Sequence, residues 1–212
     1  MIMTRLPKIT RQLLIFDRIR SVPRAEYASF GTIIGPNELM NRFNISLRTL
    51  QRDLEEFRDS GLLNVIYDKP RDRYLKSDKI PVFDENAGER RKQHLRRLYR
   101  LGTLIDCLPS VNLSDLEDYE SQVYQYNELA EWTKEDPDTF PPEDLEAKYD
   151  ELMANKPKFP NLKEEYYLLF PNSNERTRQR DFKALRNAGF DINYNSEYKT
   201  VIYLIDDVNA EY

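Results

Sequence analysis

Apolar residues along the first third of the chain are spaced first as in helices and then as in strands. Helical spacing predicts three helices, over residues 9–19, 36–43 and 46–60, with Gly61 placed to end the third. Leu63, Val65 and Tyr67 alternate as in a strand, residues 69–72 form a predicted turn, and residues 73–75 begin a returning strand, which together predict a β-hairpin. The predicted order is therefore helix, helix, helix, hairpin.

A sequence repeat links the two ends of the chain. Residues 48–61 and 176–189 align without a gap, and seven of the fourteen positions are identical. Most of the shared residues are polar, and packing gives a solvent-exposed helix face no reason to repeat such residues. We interpret the repeat as an internal duplication, in which two predicted helices at 143–153 and 162–170 precede the second copy of the third helix.

These patterns predict a mainly α fold with small β-hairpins, of the α+β class. The first copy of the repeated unit occupies residues 1–77, and the second, diverged copy occupies residues 143–212. Residues 78–142 contain two further helical patterns, at 89–108 and 113–132, and are predicted to be a helical linker that supports dimerisation.

The net charge of −5 is unevenly distributed along the chain. Residues 1–77 hold 14 Lys and Arg against 9 Asp and Glu, whereas residues 78–165 hold 12 against 21. Salt screens charges beyond about 8–10 Å, so affinity for phosphate depends on the local balance. The basic first segment can therefore bind DNA although the whole chain is acidic.

Several classes of function are disfavoured by composition. No stretch approaches the ~20 apolar residues of a membrane span, and the first eight residues lack the apolar run of a signal peptide, so we expect a cytoplasmic protein. Cys107 and His94 are the only cysteine and histidine, which leaves little for a zinc site or a catalytic triad. We expect no enzymatic activity, no metal and no cofactor.

The segment Asn-Ile-Ser-Leu-Arg-Thr-Leu-Gln-Arg-Asp-Leu at 44–54, followed by Gly61 and a Tyr-Asp-turn-Tyr hairpin, resembles the winged helix-turn-helix of DeoR-type repressors and WYL-domain regulators. The likeness covers residues 8–77 well and 143–205 weakly. It implies that helix 46–60 is a recognition helix for double-stranded DNA. The acidic helical middle matches neither ligand-binding domain of those families, which counts against a small-molecule effector.

The predicted DNA-reading surface combines the N-terminal half of helix 46–60 with the turn of the hairpin, the wing. Arginine and glutamine can pair bidentately with guanine and adenine, and threonine can contact a phosphate or a thymine methyl. The predicted DNA-binding residues are Ser46, Arg48, Thr49, Gln51, Arg52, Lys69, Arg71 and Arg73. We expect Asp53 to pair with a neighbouring arginine or backbone group, and Leu54 to be buried.

The second copy offers a corresponding set of candidates. They are Arg176, Thr177, Arg178, Gln179 and Arg180. The predicted second wing, at 196–199, is nearly neutral, so the first copy is expected to supply most of the DNA affinity. The second copy then serves assembly or a weaker accessory contact.

The leading hypothesis from the sequence is a sequence-specific, DNA-binding regulator of transcription, with repression as its mode and a homodimer as its form. Two alternatives stay open. One is a tandem winged-helix replication initiator or mobile-element protein, whose two copies bind adjacent DNA segments. The other is a winged-helix protein-interaction module that does not bind DNA.

Overall fold

The computed structural model describes residues 6–24, 33–136, 138, 142–196 and 200–205. The helices are α1 (Lys8–Ile19), α2 (Pro36–Phe43), α3 (Leu47–Asp59), α4 (Glu89–Cys107), α5 (Leu113–Glu135), α6 (Pro142–Ala154), α7 (Leu162–Leu169) and α8 (Glu175–Asn187). The strands are β1 (Val65–Asp68), β2 (Arg73–Lys76), β3 (Val111–Asn112), β4 (Asp191–Asn195) and β5 (Thr200–Ile205). The expected α+β class, mainly helical with small sheets, is confirmed.

Helix α3 begins and ends where its local signals predict. The side chain of Ser46 accepts a hydrogen bond from the backbone N–H of Thr49 at 3.3 Å, which satisfies one of the unpaired donors of the first turn. Asn44, in the turn before it, and Gly61, after its end, both have positive φ, at 48° and 80°. Such backbone suits Asn and Gly best, so these residues fix both ends of the helix.

The first hairpin has a third segment beside it. β1 and β2 pair antiparallel, from Val65 opposite Lys76 to Asp68 opposite Arg73. Arg24, between α1 and α2, forms a parallel bridge with Lys76, and the N–H of Tyr74 donates to the carbonyl of Ile34 at 2.8 Å. Of the residues between α1 and α2, Arg24 and Ile34 therefore both lie beside β2.

Gly35 is a site where a side chain cannot fit without movement. A Cβ added there would lie 2.5 Å from the backbone oxygen of Asp72, in the turn of the hairpin. We expect Gly35→Ala to push the hairpin away from α2 and to lower the free energy of unfolding by about 1–3 kcal/mol. Urea unfolding measures this, with Gly88→Ala as the control because a Cβ there meets nothing within 4 Å. Equal losses in the two variants would contradict the prediction.

The described residues fall into two compact units. One combines Met1–Leu108 with Tyr166–Phe190, and the other combines Pro109–Glu165 with Asp191–Tyr212. The predicted second copy, 143–212, thus contributes to both units. Its predicted first helix, α6, packs on α5, whereas α8 packs on α1 and α4.

The first unit is built around the apolar faces of α1, α3 and α4. The ring of Phe16 meets that of Phe57 edge to face, at 5.8 Å between centroids. From α4, the predicted apolar face is buried: Leu95, Leu98, Leu101 and Ile105. Burial of these large aliphatic side chains fixes the position of α3, which carries four of the eight predicted DNA-binding residues.

The second unit contains a three-stranded sheet in the order β3-β5-β4, with β3 parallel and β4 antiparallel to β5. Its core includes Val111, Leu116 and Ile202. Helices α5 and α6 pack on each other, and the rings of Tyr126 and Tyr149 lie 5.8 Å apart between centroids. The predicted second wing, at 196–199, lies outside the described residues except for Ser196.

Candidate nucleic-acid interface

Two arginines project from α3 into solvent. Arg48 and Arg52 lie one turn apart and are both exposed. Among the described residues, neither has a hydrogen-bond or ion-pair partner. Gln51, also exposed, lies on the neighbouring side of the helix, where α3 faces the hairpin. Within the part of the chain that the structure describes, Arg48, Gln51 and Arg52 therefore have no bonded partner and are free to contact a ligand.

The opposite side of α3 is anchored to α1 by a buried carboxylate. Asp53 has 0% exposure, and its Oδ2 accepts a hydrogen bond from Arg11 Nε at 2.7 Å. Its Oδ1 accepts from Arg11 Nη2 at 3.1 Å and from Gln12 Nε2 at 3.0 Å. The expected pairing of Asp53 with an arginine is confirmed, and the pair fixes the rotation of α3 about its axis.

A second buried carboxylate on α3 was not expected from the sequence. Glu56 accepts hydrogen bonds from Lys8 Nζ at 2.6 Å and from Gln12 Nε2 at 2.6 Å, and it contacts His94 Nε2 of α4 at 3.0 Å. Burial alone would raise the pKa of Glu56, but hydrogen bonds with His94, Lys8 and Gln12 outweigh it and hold the pKa at about 2.

This lowered pKa makes stability sensitive to acid. The ionised Glu56 contributes fully to the free energy of unfolding above pH 4.5, the ordinary pKa of a glutamate. This contribution is lost as the pH falls towards the folded-state pKa of about 2. We expect a loss of about 3 kcal/mol over that range from Glu56 alone. Urea unfolding from pH 5 to pH 2 should show a shallower loss for Glu56→Gln than for the control, exposed Glu55→Gln. An identical pH profile for Glu56→Gln and the native chain would contradict this assignment.

The prediction that Leu54 is buried is wrong. Leu54 is half-buried and lines an open groove of about 590 Å³ between α2, α3 and the hairpin. The side of α3 that packs against α1 buries the carboxylates of Asp53 and Glu56. Leu54 lies between them in sequence and faces the groove instead. The other apolar side chains in the groove include Met40, Leu47, Val65 and Tyr67.

Ser46 and Thr49 hold the start of α3 in place. Besides the capping hydrogen bond, the two hydroxyls lie 3.0 Å apart. Thr49 is half-buried, whereas Ser46 is exposed. These contacts hold in place the first turn of the helix, which carries Arg48.

The cations of the wing differ in their surroundings. Lys69 and Arg71 are exposed, and Arg71 lies 3.3 Å from a carboxylate oxygen of Asp68. Arg73 is only 6% exposed and lies 3.5 Å from the same carboxylate. Strand β2 turns Arg73 towards the interior, so of the three predicted wing cations only Lys69 and Arg71 are exposed.

Helix α8 presents a similar but smaller set of free side chains. Arg176 and Arg180 are exposed, and no described residue forms a hydrogen bond or ion pair with them. One position along from Arg180, Asp181 is 2% exposed. Two of the five predicted second-copy residues are therefore available on the surface.

The remaining polar side chains of α8 are tied to Glu175. Its carboxylate accepts hydrogen bonds from Arg178, from Gln179 Nε2 at 2.9 Å and from the hydroxyl of Tyr167 at 2.9 Å. Hydrogen bonds from Arg178, first, and Tyr167 lower the pKa of Glu175 to about 2. The guanidinium of Arg178 also lies over the ring of Phe182, 5.5 Å from its centroid. Arg178 and Gln179 are thus engaged within the protein.

Neither a metal site, nor a membrane-spanning helix, nor a known relative bears on this surface. Within the described ranges, no group of three or more His, Cys, Asp and Glu is arranged to hold a metal ion. Of the helices that the structure describes, none is both long and apolar enough to cross a membrane. The chain matches no protein-family model, no curated protein and no solved structure.

Proposed function

We propose that this protein is a sequence-specific DNA-binding regulator of transcription, acting as a repressor, which reads the major groove with α3. The observation that carries the proposal is the pair of exposed guanidinium groups of Arg48 and Arg52, which have no partner among the described residues, on a helix whose other side is fixed by Asp53. An α-helix fits the major groove of B-DNA, and the residues of its N-terminal half reach the base edges.

The chemistry of the free side chains suits this role. Each of Arg48 and Arg52 can donate two hydrogen bonds to a guanine, and Gln51 can pair bidentately with an adenine. Because Asp53 is held by Arg11, its negative charge faces away from the phosphates. The contacts with bases are therefore assigned to Arg48, Gln51 and Arg52.

The hairpin supports the same orientation of the DNA. Lys69 and Arg71 are exposed in its turn and can contact the sugar-phosphate backbone beside the groove that α3 enters. Arg73 is left out of the proposed contact set, because it is buried beside Asp68.

Selection from a random pool of duplex DNA, followed by binding titrations from 50 to 200 mM salt, tests the proposal. We expect one sequence class to be enriched, with affinity that falls steeply as salt rises, by a log–log slope of about −0.9 for each neutralised phosphate. The absence of any enriched sequence, together with a slope near zero, would reject it in favour of a protein-interaction module.

A further inference from the structure

Helices α3 and α8 share a set of local features that extends beyond their sequence repeat. Asn174 caps α8 as Ser46 caps α3: its side chain accepts from the N–H of Thr177 at 2.9 Å. Gly189 follows α8 with φ of 97°, as Gly61 follows α3 with φ of 80°. The two helices begin, end and carry exposed arginines in the same way.

The buried carboxylates of the two helices are held in the same geometry. Asp181 of α8 accepts from Arg100 Nε at 2.8 Å and from Arg100 Nη2 at 3.4 Å. This repeats the two contacts between Asp53 and Arg11. Arg11 belongs to α1, whereas Arg100 belongs to α4. In the second copy, α4 therefore takes the place that α1 has in the first, and α6 does not.

The sequences of α1 and α4 agree with this correspondence. When residues 8–22 are aligned with 97–111 so that Arg11 meets Arg100, four of the fifteen positions are identical. The identical pairs are Arg11 and Arg100, Asp17 and Asp106, Ser21 and Ser110, and Val22 and Val111. Three aligned apolar pairs are also buried at both positions: Ile15 and Leu104, Phe16 and Ile105, and Ile19 and Leu108.

The segment that follows each of these helices pairs in the same direction. Beyond α1, Arg24 pairs parallel with β2; beyond α4, β3 pairs parallel with β5. In each copy the partner is the second strand of an antiparallel pair. The elements of the second copy are thus, in order, α4, β3, α7, α8, β4 and β5. Helices α5 and α6 form an insertion between β3 and α7.

Within the first unit, the paired helices contact each other reciprocally. α1 packs on α4, and each also packs on the other copy's reading helix, α1 on α8 and α4 on α3. Arg20, at the end of α1, contacts both equivalent aspartates, Asp17 at 3.0 Å and Asp106 at 3.1 Å. Reciprocal contacts of this kind are typical of two-fold dimers.

We infer that one chain is an internal pseudo-dimer that binds a bipartite DNA site as a monomer, with α3 on one half-site and α8 on the other. The inference rests on the proposed function. Arg176 and Arg180 are the guanidinium groups that α8 offers to the second half-site. Because Glu175 holds Arg178 and Gln179, this half-site contributes less affinity and differs in sequence from the first.

The acidic insertion fits this arrangement. Residues 113–154 hold 14 Asp and Glu against two lysines, Lys134 and Lys148. Such a charge is repelled by phosphate, so α5 and α6 are excluded from the DNA contact. Replacing the two lysines by alanine is therefore a matched control. It removes two positive charges, as each arginine double variant does, but from a segment distant in sequence from α3 and α8.

The test uses the full chain and the duplex selected from the random pool. Native mass spectrometry is expected to give one chain per duplex, and footprinting to give two protected segments. Arg176→Ala with Arg180→Ala should lower affinity roughly tenfold and abolish protection of one segment, whereas Lys134→Ala with Lys148→Ala should change neither. Glu175→Gln, which releases Arg178 and Gln179, should tighten binding to the composite site but not to the α3 half-site alone.

The outcomes separate the two proposals. If Arg48→Ala with Arg52→Ala weakens binding while the α8 pair changes neither affinity nor footprint, the proposed function stands and the internal pseudo-dimer is overturned. Two chains on each duplex would overturn it as well, in favour of a homodimer. If neither arginine pair affects binding while all variants stay folded, both proposals fail.

Discussion

Asp53→Ala should lower the free energy of unfolding by about 3–5 kcal/mol, the range observed when one member of a buried ion pair is removed. The substitution leaves Arg11, only 6% exposed, without its counter-charge, and it also removes the acceptor of one Gln12 hydrogen bond. Burial of an unpaired cation is among the most unfavourable changes that a single substitution can cause. Urea unfolding followed by circular dichroism measures the loss.

A control and a second variant make the Asp53 result specific. Glu55→Ala removes the same charge from the exposed side of α3, and we expect it to change stability by about 0.5 kcal/mol or less. Adding Arg11→Met to Asp53→Ala should restore part of the loss, because the double variant buries no unpaired charge. A loss for Asp53→Ala no larger than for Glu55→Ala would show that the buried pair does not hold α3.

The same reasoning ranks the two copies. Asp181→Ala removes the equivalent carboxylate, but the side chain of Arg100 is 25% exposed and can be solvated by water. Water then replaces part of the lost interaction, so the destabilisation should be smaller than for Asp53→Ala. We therefore expect the Arg11–Asp53 pair to contribute more to stability than its counterpart.

The boundaries of α3 were predictable because their causes are local. A capping hydroxyl at Ser46, a left-handed turn at Asn44 and a terminal glycine at Gly61 act within a few residues of the backbone that they stabilise. The hairpin was predictable for the same reason, from its alternation and its turn. Local signals of this kind do not depend on the rest of the fold.

The buried face of α3 was predicted only in part, because its partners are distant in sequence. Helical spacing favoured Leu54 as a core residue, yet Asp53 and Glu56 are buried and Leu54 lines the groove. Their partners on α1 lie more than forty residues earlier in the chain. One signal was present: Lys8, Arg11 and Gln12 place polar groups at helical spacing beside the apolar stripe of α1.

The role of α4 was hidden by the insertion of α5 and α6. The repeat was recognised from residues 48–61 and 176–189, and counting backwards from the second copy reached α6. The sequence match between α1 and α4 is weaker than that between α3 and α8, and α4 precedes the insertion whereas α8 follows it. Contacts in space, above all Arg100 with Asp181, identify it where sequence distance does not.

The sequence also predicted more side chains available for DNA contact on α8 than the structure leaves unbonded. A charged helix face suggests that every arginine on it is available, but Glu175 stands where Leu47 stands in the first copy. That single difference provides a carboxylate within reach of Arg178 and Gln179. Pairs three and four residues apart on a helix interact readily, so the substitution changes the surface without changing the fold.

Arg48→Ala and Arg52→Ala should each weaken specific DNA binding by about 1–3 kcal/mol, or about 5- to 150-fold. Neither side chain has a partner among the described residues, so neither substitution should change the melting temperature appreciably. If an arginine reads a base, repeating the selection with the variant should relax preference at one position of the site. If it contacts a phosphate, affinity should fall for all sequences and the salt slope should become shallower by about 1.

The control for this pair is Lys134→Ala with Lys148→Ala, which makes the same change in net charge on the acidic insertion. Long-range electrostatics would affect both double variants similarly, whereas direct contact affects only the α3 pair. We expect the α3 pair also to lose more affinity than Arg176→Ala with Arg180→Ala, because α3 lies beside the cationic turn that carries Lys69 and Arg71. A folded Arg48→Ala, Arg52→Ala variant that keeps full affinity would mean that α3 is not the reading helix.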